Sequence, residues 1–127
     1  MLEVEVVGTL PATMSPDEIT RLAELGAASA GVHEGHLAVQ FVDAAQIAEL
    51  NGAHRGKPEP TDVLSFPIDG AHTDTAGPRE LGDVVICPEH TADLREAVLH
   101  GVLHLLGMDH EADQGEMLAL QHELLSW

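Results

Sequence analysis

The stretch His100–His110, HGVLHLLGMDH, decides the fold around it. Residues four apart lie on one face of a helix, about 6 Å apart along its axis, so His100 and His104 can point at the same ion. Gly107 can take the left-handed conformation that ends a helix and lets the chain fold back with His110. Three imidazoles with an open fourth position are typical of a catalytic zinc site. The sequence therefore predicts one Zn²⁺ ion bound by His100, His104 and His110.

The residues on either side predict two helices next to this site. Over about 90–106 the chain is apolar on most faces, and only one stripe, which includes His100 and His104, is polar. This pattern is typical of a central helix that presents its polar stripe to a cleft. A last helix over about 112–125 is expected to pack back against the core through its own apolar face.

Four short apolar or alternating segments predict strands. They lie at 2–6, 37–41, 62–66 and 83–87. Ser15 and Asp43 are placed to cap two further helices, and residues 52–62 are expected to form a polar loop. The elements together predict an α+β fold.

The length of 127 residues predicts one small domain that covers residues 1–127. The hydrophobic content of 44% is enough for a buried core. No apolar run approaches the roughly 18 residues that a membrane span requires. The segment Met1–Val7 has acidic residues where a secretion signal would be basic. The lone Cys87 excludes an internal disulfide. We therefore expect a cytoplasmic protein with no membrane partner.

The net charge argues against a polyanionic partner, since 5 basic residues against 22 acidic ones give −17. Two observations moderate this argument. Arg55 and Lys57 lie close together in the chain, and a bound divalent cation would add positive charge nearby. The field in a cleft can therefore differ from the average over the surface.

Four motifs together resemble one family, the YbeY bacterial rRNA maturation factors. They are, in chain order, Arg55–Lys57, Thr61–Pro67 with the sequence TDVLSFP, Leu81–Asp83, and His100–His110. The likeness runs from about Asp43 to the end of the chain. It implies a small mixed four-stranded sheet packed with helices, a zincin-like fold with a central histidine-bearing helix.

The resemblance also implies an activity, that of a single-strand-specific, metal-dependent endoribonuclease. Such an enzyme would act in 16S rRNA 3′-end maturation and ribosome quality control, on rRNA or the small ribosomal subunit, alone or with a protein partner, and not on DNA. His100, His104 and His110 would be the zinc ligands, and Arg55 would be the functional arginine beside the cleft.

The expected chemistry is phosphodiester hydrolysis by a zinc-bound water, whose pKa the ion lowers to about 7. His100 and Arg55 are the expected catalytic residues, the first as a metal ligand. Arg55 can offer a planar fork of donors to the phosphate, and Lys57 can add a point charge. Asp83 or Asp109 could orient the outer nitrogen of a ligand histidine, although capping and turn roles fit them equally well.

Two other functions fit parts of the pattern. A zinc metalloprotease-like hydrolase shares the histidine spacing, but it carries a glutamate base after the first histidine, where this chain has Gly101. Glu96, one turn before His100, could be a displaced base. A non-enzymatic ribosome-assembly factor would hold a structural metal, against which the open fourth position argues.

Two departures from the family pattern are expected to change the surroundings of the site more than the metal ligands. The segment between Asp83 and His100 is shorter by about one helix, so one wall of the cleft would be missing or replaced. Met108 follows Gly107, where tyrosine is common in the family.

Overall fold

The computed structural model describes residues 2–11, 14–68, 80–107 and 115–126. Within them the chain forms a mixed four-stranded sheet and four α-helices, which confirms the predicted α+β fold. The elements are β1 (Leu2–Val7), α1 (Pro16–Ser29), β2 (Gly35–Phe41), α2 (Ala44–Arg55), β3 (Val63–Pro67), β4 (Glu80–Ile86), α3 (Leu94–Leu105) and α4 (Glu116–Leu125).

The strands lie in the order β1-β2-β4-β3. β1, β2 and β4 are parallel, and β3 is antiparallel to β4. The helix α1 makes the long crossover that two parallel neighbours such as β1 and β2 require. Among the four described strands, β3 lies at an edge of the sheet and is the only antiparallel one.

The two faces of the sheet are covered by different helices. α1 and α3 pack on the face that presents Val39, Val84 and Ile86. α2 packs through Ile47 on the other face, which presents Val85. Side chains alternate between the faces of a strand, so each buried strand supplies apolar residues to both layers.

Helix α4 covers the flank of α3 that points away from the sheet. Leu99 and Leu103 of α3 form a buried cluster with Met117 and Leu124 of α4. The predicted return of the last helix to the core is confirmed for the described part of that helix.

Three predicted element boundaries require correction. Residues 52–55 are helical rather than part of a loop, because α2 continues until Gly56, whose φ of 72° forms a left-handed C-cap. α3 begins at Leu94 rather than near residue 90, because Asp93 caps it by accepting from the backbone N–H groups of Arg95 and Glu96. β4 begins at Glu80 rather than Asp83.

The connection from β4 to α3 is short. It contains one 3-10 turn, Pro88–His90, and no α-helix. The described residues also contain no helix both long enough and apolar enough to cross a membrane.

Candidate metal centre

Helix α3 brings His100 and His104 together on one face. Their Nε2 atoms are 3.1 Å apart, and the two rings meet edge to face with centroids 4.6 Å apart. Both side chains are partly buried. The pairing follows from the four-residue spacing, because the apolar residues between them turn toward the sheet and toward α4.

The donor atoms of this pair fit a zinc ion. Two nitrogens bound to tetrahedral zinc at 2.0–2.1 Å lie about 3.3 Å from each other, close to the observed separation of 3.1 Å. Gly107 has the predicted left-handed conformation, with φ of 94°, and its N–H donates to the carbonyl of His104. His110 and Asp109 lie outside the described residues, within which no group of three metal-binding side chains occurs. The third ligand stays a prediction.

Gln121 of α4 contacts the outer nitrogen of His100. Its Oε1 lies 2.8 Å from Nδ1 of His100, and the glutamine is only 5% exposed. The sequence did not indicate this residue and offered Asp83 or Asp109 for the role, of which Asp109 lies outside the described residues. Val84 points toward α3, so its neighbour Asp83 points to the other face of the sheet, away from His100. The sequence signal that could have found Gln121 is its position on the buried side of the last helix, between the apolar residues Met117 and Leu124.

Gly101, between the two histidines, packs directly on the sheet. A Cβ atom there would lie 2.4 Å from Cγ1 of Val84. The carbonyl of Gly101 accepts a hydrogen bond of 2.9 Å from the Ser65 hydroxyl of β3. The turn of α3 that carries the histidines is thus fixed against both β4 and β3.

Arg55 and Lys57 lie at the end of α2 and just beyond it, and both are exposed. The buried Asn51 holds this segment: its carbonyl accepts from the N–H of Lys57, and its Nδ2 donates to the carbonyl of Glu59 at 3.0 Å. Within the described part of the chain, neither cationic side chain forms an ion pair.

The outer strand β3 lies between the histidine pair and this cationic segment. Ser65 bonds to α3 on one face, whereas the next residue, Phe66, contacts the ring of His54 with centroids 4.6 Å apart. Neighbouring residues of a strand point to opposite faces, so the two groups flank β3 from its two sides. The structure therefore places the turn of α3 that carries His100 on one side of β3 and His54, the neighbour of Arg55, on the other.

The sequence and the α+β fold of this chain have counterparts among known proteins. Residues 13–127 match the family described as Endoribonuclease YbeY. The chain therefore belongs to the endoribonuclease YbeY family, which confirms the resemblance found in the sequence. The Endoribonuclease YbeY proteins of Beutenbergia cavernae and Salinispora tropica are each 37% identical to it, over 98% and 99% of the chain and 95% and 96% of their own lengths.

A solved structure has the same fold. The solution structure of TM1509 from Thermotoga maritima is similar with a TM-score of 0.60 and 25% identity, over 97% of this chain and 87% of that one. The alignment with the Beutenbergia protein extends over 143 positions, more than the 127 residues of this chain. That relative therefore contains residues within the aligned region that this chain lacks.

Proposed function

We propose that this protein is a single-strand-specific, metal-dependent endoribonuclease that acts in the cytoplasm in 16S rRNA 3′-end maturation and ribosome quality control. Membership of the endoribonuclease YbeY family supports the activity on RNA. The observation that carries the metal-dependent part is the pair of imidazole Nε2 atoms, 3.1 Å apart on α3.

In this proposal His100 and His104, with His110, hold one Zn²⁺ ion. When bound, the ion would act as a Lewis acid that lowers the pKa of water and polarises a phosphoryl oxygen. His100 and His104 are oriented by the packing of α3, so little rearrangement is needed before the ion binds.

Arg55 and Lys57 are the proposed substrate-binding residues. The guanidinium of Arg55 can donate two parallel hydrogen bonds to a phosphate, which is where negative charge grows during the reaction. The ammonium of Lys57 adds positive charge two residues further on. Both lie exposed at the end of α2.

The partner we propose is rRNA within the small ribosomal subunit. A net charge of −17 repels free RNA. We therefore assign most of the attraction to the ribosome or to an associated protein, and the final positioning of the phosphate to Arg55 and Lys57.

The protease alternative is opposed by the packing of Gly101. A glutamate base at this position would need a Cβ atom 2.4 Å from Cγ1 of Val84. Two non-bonded carbon atoms cannot approach so closely, so the helix would have to move away from β4.

The proposal is tested by cleavage of an end-labelled single-stranded RNA by the purified protein, with chelator and then with restored zinc. We expect cleavage that the chelator stops and zinc restores. His104→Ala should abolish it, whereas His122→Ala, at an exposed position of α4, should leave it unchanged.

Duplex RNA and casein serve as parallel substrates. Equal cleavage of duplex RNA would contradict strand specificity, and cleavage of casein alone would support a protease. Zinc binding without cleavage of any substrate, including small ribosomal subunits, would support a structural metal in an assembly factor.

A further inference from the structure

We infer that Gln121 is a positioning residue, which fixes the tautomer and orientation of His100 so that Nε2 is the atom presented to the metal. The inference rests on the proposed metal site. It concerns a residue of α4 that is distant in sequence from the histidine motif and was not indicated by it.

The side chain of Gln121 is buried beside α3, with only 5% of the residue exposed. Met117 and Leu124, on the same side of α4, are buried against Leu99 and Leu103 of α3. These leucines each precede a histidine by one residue, so the packing that holds α4 also sets Gln121 beside His100. The result is the contact of 2.8 Å between Oε1 and Nδ1.

The choice of tautomer follows from the two ring nitrogens of His100. Its Nε2 faces Nε2 of His104 at 3.1 Å, and a nitrogen that binds a metal needs a free lone pair. A neutral imidazole carries its proton on the other nitrogen, here Nδ1, which must then donate to an acceptor. The Oε1 of Gln121 is that acceptor, at 2.8 Å.

The hydrogen-bonding role can be separated from packing by two substitutions. Gln121→Met keeps the length of the side chain and removes the acceptor. Gln121→Glu keeps an acceptor at the same distance from the backbone. His122→Met, at the exposed neighbouring position, is the matched control.

The first measurement is the zinc dissociation constant of the metal-free protein, by competition with a chelator of known affinity. Loss of a partner to the outer nitrogen of a ligand histidine lowers metal affinity by about 10–100-fold. We expect that loss for Gln121→Met, and affinity within a few-fold of wild type for Gln121→Glu and His122→Met. Circular dichroism establishes that the variants are folded.

The second measurement needs no variant. Nitrogen chemical shifts of the His100 ring in the metal-free wild-type protein, recorded at alkaline pH, report which nitrogen carries the proton. We expect a protonated Nδ1. A protonated Nε2 would overturn the inference even if Gln121→Met failed to fold.

The remaining outcomes separate the inference from the proposed function. Equal zinc affinities of wild type and folded Gln121→Met, with loss of binding in His100→Ala, would overturn the role of Gln121 and leave the metal site standing. Equal losses in Gln121→Met and Gln121→Glu would also overturn it, since an acceptor alone would not suffice. Failure of the wild-type protein to bind zinc would overturn the metal site, and this role with it.

Discussion

Gly101 of α3 packs directly against Val84 of β4. In a helix, alanine is normally about 1 kcal/mol more stabilising than glycine. Here the added Cβ would lie 2.4 Å from Cγ1 of Val84. We therefore expect Gly101→Ala to lower the free energy of unfolding by about 1–3 kcal/mol, as measured by urea denaturation.

The contact with Val84 can be isolated by a double-mutant cycle. Val84→Ala removes the obstructing methyl groups, so Gly101→Ala should cost much less in that background. Additive effects of the two substitutions would contradict the proposed steric cause. An increase in stability on Gly101→Ala alone would do the same.

His36 lies in a row of charged residues across three strands. It is paired in register with Glu3 of β1 and with Glu80 of β4, and its Nδ1 lies 2.8 Å from Glu80 Oε2. The hydrogen bond to the Glu80 carboxylate raises the pKa of His36 above 6.5, supported by the charges of Glu80, Glu5 and Glu3 and opposed by partial burial.

This raised pKa predicts a pH-dependent contribution to stability. The pair stabilises the fold fully below the ordinary histidine pKa of 6.5 and loses this contribution as the pH rises through the raised value. Because both side chains are about one-third exposed, at 33% and 39%, we expect less than about 1 kcal/mol.

The measurement compares the free energy of unfolding of the wild type with that of His36→Gln from mildly acidic to alkaline pH. The difference should be largest at the acidic end and fall to a constant, smaller value at the alkaline end. Glu80→Gln should reduce it in the same way. A difference that is constant with pH would show that protonation of His36 has no part in it.

At the scale of elements, α4 is attached to the domain mainly through one side. Met117 is fully buried in the cluster with Leu99 and Leu103, whereas the next residue, Leu118, is 47% exposed. We expect Met117→Ala to cost about 2–5 kcal/mol of unfolding free energy. Leu118→Ala, the matched control, should cost less than about 0.5 kcal/mol. Similar costs at the two positions would contradict the packing of α4.

The elements themselves could be predicted because their signals are local. Alternation of polar and apolar residues identified β1 and β2, and Ser15 and Asp43 form the predicted cap hydrogen bonds. The end of α2 was less predictable from the sequence than these elements. Its last turn, residues 52–55, has no large apolar residue that would mark a buried face, and the left-handed conformation of Gly56 shows where the helix ends.

The candidate site was predictable to the extent that it depends on spacing. The four-residue interval fixed the relation of His100 to His104, and Gly107 has the expected conformation. Gln121 could not be found in this way, because its contact with His100 depends on how α4 packs on α3. Local patterns do not determine that packing.

At the scale of the whole molecule, the charge of −17 limits how the protein can bind free RNA. Among the other basic side chains, Arg95 is paired with Glu18 at 2.8 Å. Each phosphate neutralised on a single strand contributes about 0.7 to the slope of log affinity against log salt. With Arg55 and Lys57 as the contacts, we expect a slope no steeper than about −1.4.

The salt dependence is measured by fluorescence anisotropy with a labelled single-stranded RNA and the His104→Ala variant, which should not cleave it. Adding Arg55→Ala should make the slope shallower by about 0.7. A slope more than twice as steep as expected would show that another basic surface binds the RNA.

The order β1-β2-β4-β3 makes β1 and β3 the outer strands of the sheet. An outer strand can pair with a strand of a second copy, and such pairing leads to aggregation. β1 carries the exposed carboxylates of Glu3 and Glu5, and β3 ends at Pro67, which has no N–H group to donate. We therefore expect the acidity that weakens the attraction for RNA also to oppose edge-to-edge pairing between copies of the protein. Self-association should begin as the pH approaches the isoelectric point of about 4.5 that the composition gives.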